Sequence, residues 1–535
     1  MRTRFFFVFI LLALLVSIVG CSSCSRRNNN AFVITLSDKF SGVDPNMQPT
    51  VDAASERLRQ LVFNSLVKKN EKFDYVPDLA KEIKRSEFTG KKDEELSYTF
   101  ILNDNVKFHN GQPLTSSDVK YTFDTLLASS AAKAASFFET IDGQKQPYIA
   151  AIETPDPKTV VFKLRKPGFP LLSNLVPVAI IPQGSADKQK ETPIGSGPFK
   201  FVRKEGDTLV ELVRNPDYWE GPPSIENLIV RVVGDANALQ AELKSGKSTL
   251  APLPTNLTPD ALNTLGQDPQ LQVKSFPGAN IVYLNFNAQS EPLNNAKVRQ
   301  AIAYAIDRES IVKDLLKGQA KVAHSILPEE SWAYTANIKY NYDPAKAKQL
   351  LDEAGFKDPD GDGPQMRFAK EIVFKISSGN TATSQYSQVI QQSLKQVGIP
   401  VKIETLETNT LFDQLKKGQF QMSTSRWVGG NQDPIFLKDL FASSEIPDDK
   451  RNTRNRSRYS NPEFDKIINE ALDTLDRQKA QTLYAQAQDI IARDVPMLPL
   501  WYPANMVVAQ KYVGNIKVDG SGDWSFVKNL SVEKK

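Results

Sequence analysis

The sequence predicts an α/β protein, and three observations carry that prediction. Apolar residues alternate at Tyr98, Phe100 and Leu102 in SYTFIL and at Val160, Phe162 and Leu164 in TVVFKL, the period of strands with one buried face. Phe464, Ile467, Ile468, Ala471, Leu472 and Leu475 follow helical spacing instead, behind a capping Asn461 and a first-turn Pro462. The two kinds of element then alternate: SQVIQQSLKQVGIPVKIETL reads as a helix, a stop at Gly398 and a strand through Val401 and Ile403.

The N-terminus comes first in order. Arg2 and Arg4 precede the apolar run FFFVFILLALLVSIV, which is too short for a comfortable membrane span and reads as a secretory signal peptide over residues 1–20. Ile18, Val19, Gly20 and Cys21 resemble a bacterial lipobox, which makes Cys21 the expected lipidation site and the first residue of the mature chain. Two acyl chains suffice for stable anchoring, at about 0.8 kcal/mol per buried CH2. The chain's two cysteines, Cys21 and Cys24, both fall in this anchor, so no disulfide framework is expected in the body. SSCSRRNNN has nothing to bury and reads as a tether over 21–30, in preference to a C-x-x-C redox pair.

Within the body, Thr115 and Asp118 form a capping-box pattern ahead of a helix through Leu127. Asp343 caps and Pro344 enters a second helix, with Leu350, Leu351 and Ala354 inside and Gly355 as its stop. Soft boundaries fall at KETPIGSGPF, SFPGAN and VPMLPLWYP. Once residues 1–20 are removed, 515 residues remain, enough for about three domains at roughly 100–200 residues each, and the formal charge falls from +4 to +2. That balance gives no case for a nucleic-acid partner.

Several motifs suggest chemistry and fall short of it. SGKST ends like a phosphate loop, but the required earlier glycine is Ala241. Asp358, Asp360 and Asp362 have calcium-loop spacing, yet the closing position is Ala369, so a surface turn is expected and no metal site. KRNTRNRSR, Lys450 to Arg458, reads as a solvated loop, since no aromatics interleave with its charges. Two histidines, His109 and His324, are too few and too scattered for a metal or haem site, and no G-x-S-x-G nucleophile motif is present. The residues give no case for a cofactor or for enzymatic activity, and an esterase or peptidase stays a distant alternative.

LSYTFILNDNVKFHNGQPLTSSDVKYTFDTLL (96–127) resembles the signature of extracytoplasmic solute-binding proteins of the peptide, opine and nickel class (family 5) that serve ABC importers. The resemblance continues in order through PIGSGPFKF, LVRNPDYW, YLNFNAQSEPLNNAKVRQAIAYAIDRESIV, AKQLLDEAGF and YSNPEFDKIINEA, covering nearly all of the mature chain. It implies a two-lobed periplasmic-binding-protein fold of type II that closes like a hinge, with an extra subdomain inserted in the first lobe. By that pattern lobe I is 31–59, 191–280 and 501–535, the insertion 60–190, and lobe II 281–500. The implied protein is a monomer, lipid-anchored on the extracytoplasmic (periplasmic or outer) face of a membrane. It would hand a peptide or related solute to an ABC permease and its ATPase. A sensing lipoprotein on the same fold, or a binder of a non-peptide solute, is the alternative.

The resemblance places the ligand loop at SRWVGGNQDP, Ser425 to Pro434. In dipeptide and oligopeptide binders this stretch resembles W-x-x-D, whose aspartate takes the peptide's ammonium. Trp427 matches the aromatic and is expected to line the cleft, but the position of that aspartate is Gly430. Val428 and Gly429 offer backbone to an extended peptide, Asn431 stands beside them, and Asp433 is the next carboxylate. Either Asp433 replaces the missing anchor or the ligand presents no free amine there; an Asp before Pro commonly holds its own turn, which favours the second reading.

Overall fold

The computed structural model describes residues 31–533 apart from 87–95, 142–143, 166–169, 362, 430–431, 449–450, 452 and 475. Cys21, Cys24 and the whole signal and tether region therefore lie outside the described residues, as do Asp362, Gly430, Asn431 and Leu475.

Two large mixed sheets organise the chain, one for each lobe. The first has seven strands in the spatial order Phe199–Glu205, Leu209–Arg214, Asn227–Val232, Phe32–Leu36, Leu250–Pro252, Asn505–Gln510 and Leu271–Phe276. The second has six, ordered Ala320–Val322, Met497–Pro503, Ile281–Phe286, Met422–Trp427, Ile372–Ser377 and Val401–Leu406. Sequence-distant strands meet in both, and the parallel pairs Phe32–Leu36 with Asn227–Val232 and Ile372–Ser377 with Val401–Leu406 require crossovers through intervening elements.

The six-stranded sheet has two apolar faces. Val282, Leu284, Phe286, Phe374 and Met422 point into one core, whereas Ile281, Tyr283 and Tyr502 point into another beneath the helices Phe436–Phe441, Pro462–Asp473 and Arg477–Asp494. This is the period-2 alternation of a strand covered on both sides.

Between the first and later strands of the seven-stranded sheet, in sequence, sits a four-stranded antiparallel sheet: Ala80–Arg85, Leu96–Leu102, Thr159–Leu164 and Ile149–Asp156. The expected strands at 98–102 and 160–164 pair directly, Phe100 opposite Val160. Helix Ser116–Leu127 covers them, and Phe123 meets Phe162 edge-to-face at 5.0 Å. Asp118 accepts the backbone N–H of Thr115 at 2.9 Å, completing the capping box. Local signals hold elsewhere too. Asn461 caps Pro462–Asp473, Asp343 caps Pro344–Glu353, and Gly355 turns out of the latter at φ +91°.

The chain passes between the two sheets at two adjacent places. Pro277, Gly278, Ala279 and Asn280 join Phe276 to Ile281, and Ala504 alone joins Pro503 to Asn505. The crossings touch: a Cβ on Gly278 would lie 1.9 Å from the carbonyl oxygen of Pro503, so only glycine fits. The side-chain amide of Asn505 ties them together by donating to the carbonyl of Pro277 at 3.2 Å and to that of Asp519 at 2.8 Å.

Candidate functional site

A cavity of about 460 Å³ lies between the two sheets, walled on one side by the crossings through Asn280, Pro503, Ala504 and Asn505. The seven-stranded lobe contributes Asp38, just beyond strand Phe32–Leu36, and Arg57, from the first turns of helix Ala53–Val62. The opposing lobe contributes Val282, Thr424, Arg426, Val428, Tyr386 and Trp501. Tyr386 fixes this wall: its ring meets Trp501 edge-on at 5.0 Å, and its hydroxyl pairs with the Thr424 hydroxyl at 3.0 Å. Helix Thr381–Gln396 brings Ala382 and Thr383 to the same wall behind its capping Asn380. Residues far apart in sequence thus line a space with apolar and polar groups in near-equal measure, a concave site with side chains able to orient a small molecule.

Strand alternation decides where the predicted loop points. In Met422–Trp427, Thr424 and Arg426 share the cavity face, and Val428, just past the strand, lines the cavity and is 45% exposed. Trp427 is on the other face. It stacks on Tyr283 at 6.3 Å and meets Phe436 edge-on at 5.2 Å, so it does not line this cavity as the sequence comparison led us to expect. Its indole N–H is buried without an acceptor among the described residues. Gly429, at φ +78°, donates its N–H to the side chain of Asn280 at 3.0 Å, which ties the loop to the crossing rather than leaving that donor for a ligand.

Asp433 has both carboxylate oxygens occupied. Oδ1 accepts the N–H of Ile435 at 2.9 Å, holding its own turn, while Oδ2 accepts the phenol of Tyr75. Tyr75 belongs to the hairpin Val67–Lys69/Tyr75–Pro77, which reaches across from the other side of the molecule. Burial first, and then the Asp433 charge, push the Tyr75 phenol well above its usual pKa, so it stays a donor. Two neighbours strengthen the junction: Lys69 donates to Gln432 at 3.3 Å and Arg477 pairs with Asp74. The hairpin therefore latches onto the 432–433 loop, and the lobes are held together in the form described.

A second cavity, of about 420 Å³, is lined by residues including Arg59, Lys68, Lys69, Asp78, Tyr218 and Lys528. None of its lining comes from 281–500, so a movement of the two sheets against each other would not close it, which leaves the 460 Å³ cavity as the candidate site.

Other sequence candidates resolve locally. His109 is half-buried: its Nδ1 accepts the N–H of Gly195 at 3.3 Å and its Nε2 lies 3.1 Å from the Gly197 carbonyl. Burial pushes its pKa down to about 4. The Asp358 and Asp360 carboxylates accept backbone N–H groups of Gly361, at 2.9 Å, and Gln365, at 3.0 Å, forming a turn. The basic run departs from expectation. Asn455 and Ser457 are buried, and Arg456 lies over the rings of Phe412 at 4.7 Å and Trp427 at 5.9 Å, aromatic partners supplied by other segments.

Sequence reasoning missed Asp38, Arg57, Asn280, Tyr386, Arg426 and Trp501 as lining residues. Arg426 sits inside the ten residues singled out for the loop, and the alternation of its strand was the available signal.

Comparison with known proteins comes to the same architecture. Residues 74–448 match the family described as bacterial extracellular solute-binding proteins, family 5 Middle. The chain is 29% identical over 537 residues to the oligopeptide-binding protein AppA of Bacillus subtilis (strain 168), covering 94% of each chain. It is 29% identical over 509 residues to heme-binding protein A of Haemophilus influenzae, covering 90% of this chain and 88% of the relative. The structure of Bacillus subtilis AppA in complex with a nonapeptide superposes with a TM-score of 0.71 at 28% identity, over 94% of this chain and 99% of that one.

Proposed function

Because this chain belongs to the bacterial extracellular solute-binding proteins of family 5, we propose that it captures a peptide or related solute by lobe closure and delivers it to an ABC importer. The observation that carries the reading is the cavity of about 460 Å³ between two sheets whose chain connections are short, touching crossings. Such a site is completed by bringing its walls together, and a solute that contacts both walls favours the closed form. The relatives' names support a peptide, with heme as the ligand to set against it.

The sheets support the division expected from sequence, lobe I at 31–59, 191–280 and 501–535, an insertion at 60–190 and lobe II at 281–500, with the last crossing moved to Ala504. We further propose a monomer held at the extracytoplasmic face by a lipid on Cys21. Among the described residues no helix is long and apolar enough to cross a membrane.

A thermal-shift screen of the purified chain tests the solute class. A tight binder at 100 times its Kd adds about 2.7 kcal/mol by mass action, and peptide pools are expected to raise Tm and compact the protein in solution scattering. If peptides do neither while heme or another solute class does, the peptide assignment fails.

A further inference from the structure

Covered arginines of this protein commonly spend their N–H groups on its own carbonyls and carboxylates. Arg299 donates to the carbonyls of Leu293, Asp494 and Val495; Arg308 donates to those of Ala323, Pro499 and Tyr340; Arg367 pairs with Asp352 and the carbonyl of Phe356. Arg57, partly buried, and Arg426, largely open to it, face the 460 Å³ cavity from opposite lobes. Among the described residues neither guanidinium has a protein acceptor. A guanidinium carries five N–H donors in a planar fork matched to a carboxylate.

The lining contains one other charged residue, Asp38, from the same side as Arg57. It accepts from the Thr255 hydroxyl at 3.4 Å, and its charge reaches both arginines. Asp52 and Asp523 lie in the field of Arg57 but outside the lining, and Asp52 is occupied by Ser41 and Ser55. The lining therefore carries one net positive charge. Arg426 keeps surface open to the cavity, yet enough protein surrounds it that burial leads the causes lowering its pKa. Burial likewise leads for Arg57, and the charge of Arg426 adds to it, so the two guanidiniums repel each other across the gap.

Two helices present their first turns to the same space, Ala53–Val62 through Ala53 and Arg57, and Thr381–Gln396 through Ala382 and Thr383. Helix N-termini carry partial positive charge, which adds to the arginines, although Asp52 offsets the first.

We infer that the solute carries a carboxylate, which enters between Arg57 and Arg426 and bridges the two lobes. An anion at that point gives both forks an acceptor and turns the repulsion between the lobes into attraction to a shared partner. Closure over an empty or uncharged site leaves two desolvated cations opposed, and closure over an acid does not. The arginines thus select the solute and add its charge to what favours the closed form. The inference rests on the reading of this cavity as the solute site, and leaves open which carboxylate is read, a peptide's C-terminus or an acidic side chain.

The test is calorimetric titration of the mature chain and its Arg57→Gln, Arg426→Gln and Arg426→Lys variants. The probes are a tetrapeptide pool with free C-termini, the same pool as C-terminal amides, the amide pool with one Glu, and a mixture of four- to eight-carbon dicarboxylates. Wild type is expected to bind acids at least tenfold more tightly than amides. Each Gln variant is expected to lose tenfold or more for acids and to cease discriminating, while Arg426→Lys recovers part of the loss. Because neither guanidinium has a hydrogen-bond acceptor among the described residues, the unliganded Gln variants should melt close to wild type, which separates lost recognition from lost folding. Recovery of affinity by the Glu-bearing amides identifies a side-chain carboxylate; its absence identifies the terminus. If no peptide pool binds but dicarboxylates do, and Arg426→Gln loses them, the peptide reading falls and this inference stands. Equal binding of acids and amides by wild type, undiminished acid binding by the Gln variants, or no binding of any acid overturns it.

Discussion

Asp433 offers the sharpest test of how the ligand loop works, because two roles for it predict opposite results. The structure gives its carboxylate two hydrogen bonds, one within its own turn to Ile435 and one across the molecule to the Tyr75 phenol. A hydrogen bond to a charged group contributes about 1.5–3 kcal/mol. Of these two bonds the Tyr75 one crosses the junction between hairpin and loop, so removing it should shift the closed-to-open ratio by roughly ten- to a hundredfold, at 1.4 kcal/mol per factor of ten. Tyr75→Phe removes that bond alone, whereas Asp433→Ala also loosens the turn. If Asp433 is a latch, both variants weaken a free peptide and its N-acetylated counterpart by the same factor, and scattering shows a more open unliganded protein. Paired calorimetric titrations measure this directly. If instead Asp433→Ala abolishes binding of the free amine and spares the acetylated peptide, or Tyr75→Phe tightens the free amine by releasing the carboxylate, the latch reasoning is wrong and Asp433 is the ammonium anchor.

Two further outcomes are expected. His109 has a folded pKa of about 4 against an ordinary value of 6.5, so below pH 6.5 the unfolded chain takes up a proton that the folded chain refuses. Stability should therefore fall between about pH 6.5 and 4 by up to about 3 kcal/mol from this residue. Denaturant unfolding of wild type and His109→Gln across that window should show the slope reduced in the variant, and an unchanged slope would refute the assignment. Changing Cys21 to Ser should release the protein from the membrane fraction and remove the mass of the acyl chains; unaltered fractionation and mass would show that Cys21 bears no lipid.

The parts of the fold legible in the sequence are those whose causes are local. The Thr115–Asp118 capping box, the Asn461–Pro462 start and the Gly355 stop each depend on a few neighbouring residues, and each forms in the structure. The site is assembled from far-apart segments, and no window contains it. Asp433 illustrates both halves: its bond to Ile435 follows from the Asp-Pro corner, but Tyr75 lies 358 residues away. Trp427 shows a different loss. Size and chemistry made it the conspicuous residue of SRWVGG, while the period of its own strand assigns the cavity face to Arg426.

The crossings carry a further consequence for what a solute must supply. Four residues on one path and a single residue on the other leave almost no slack between the lobes, and Gly278 lets the two paths pass in contact. Each lobe is thus confined near the other from the moment the chain folds, at the high effective concentration that a short tether imposes. The translational entropy of bringing two bodies together is settled before any encounter with ligand. What remains is the ordering of a rotation, so a weakly interacting molecule can still finish the enclosure.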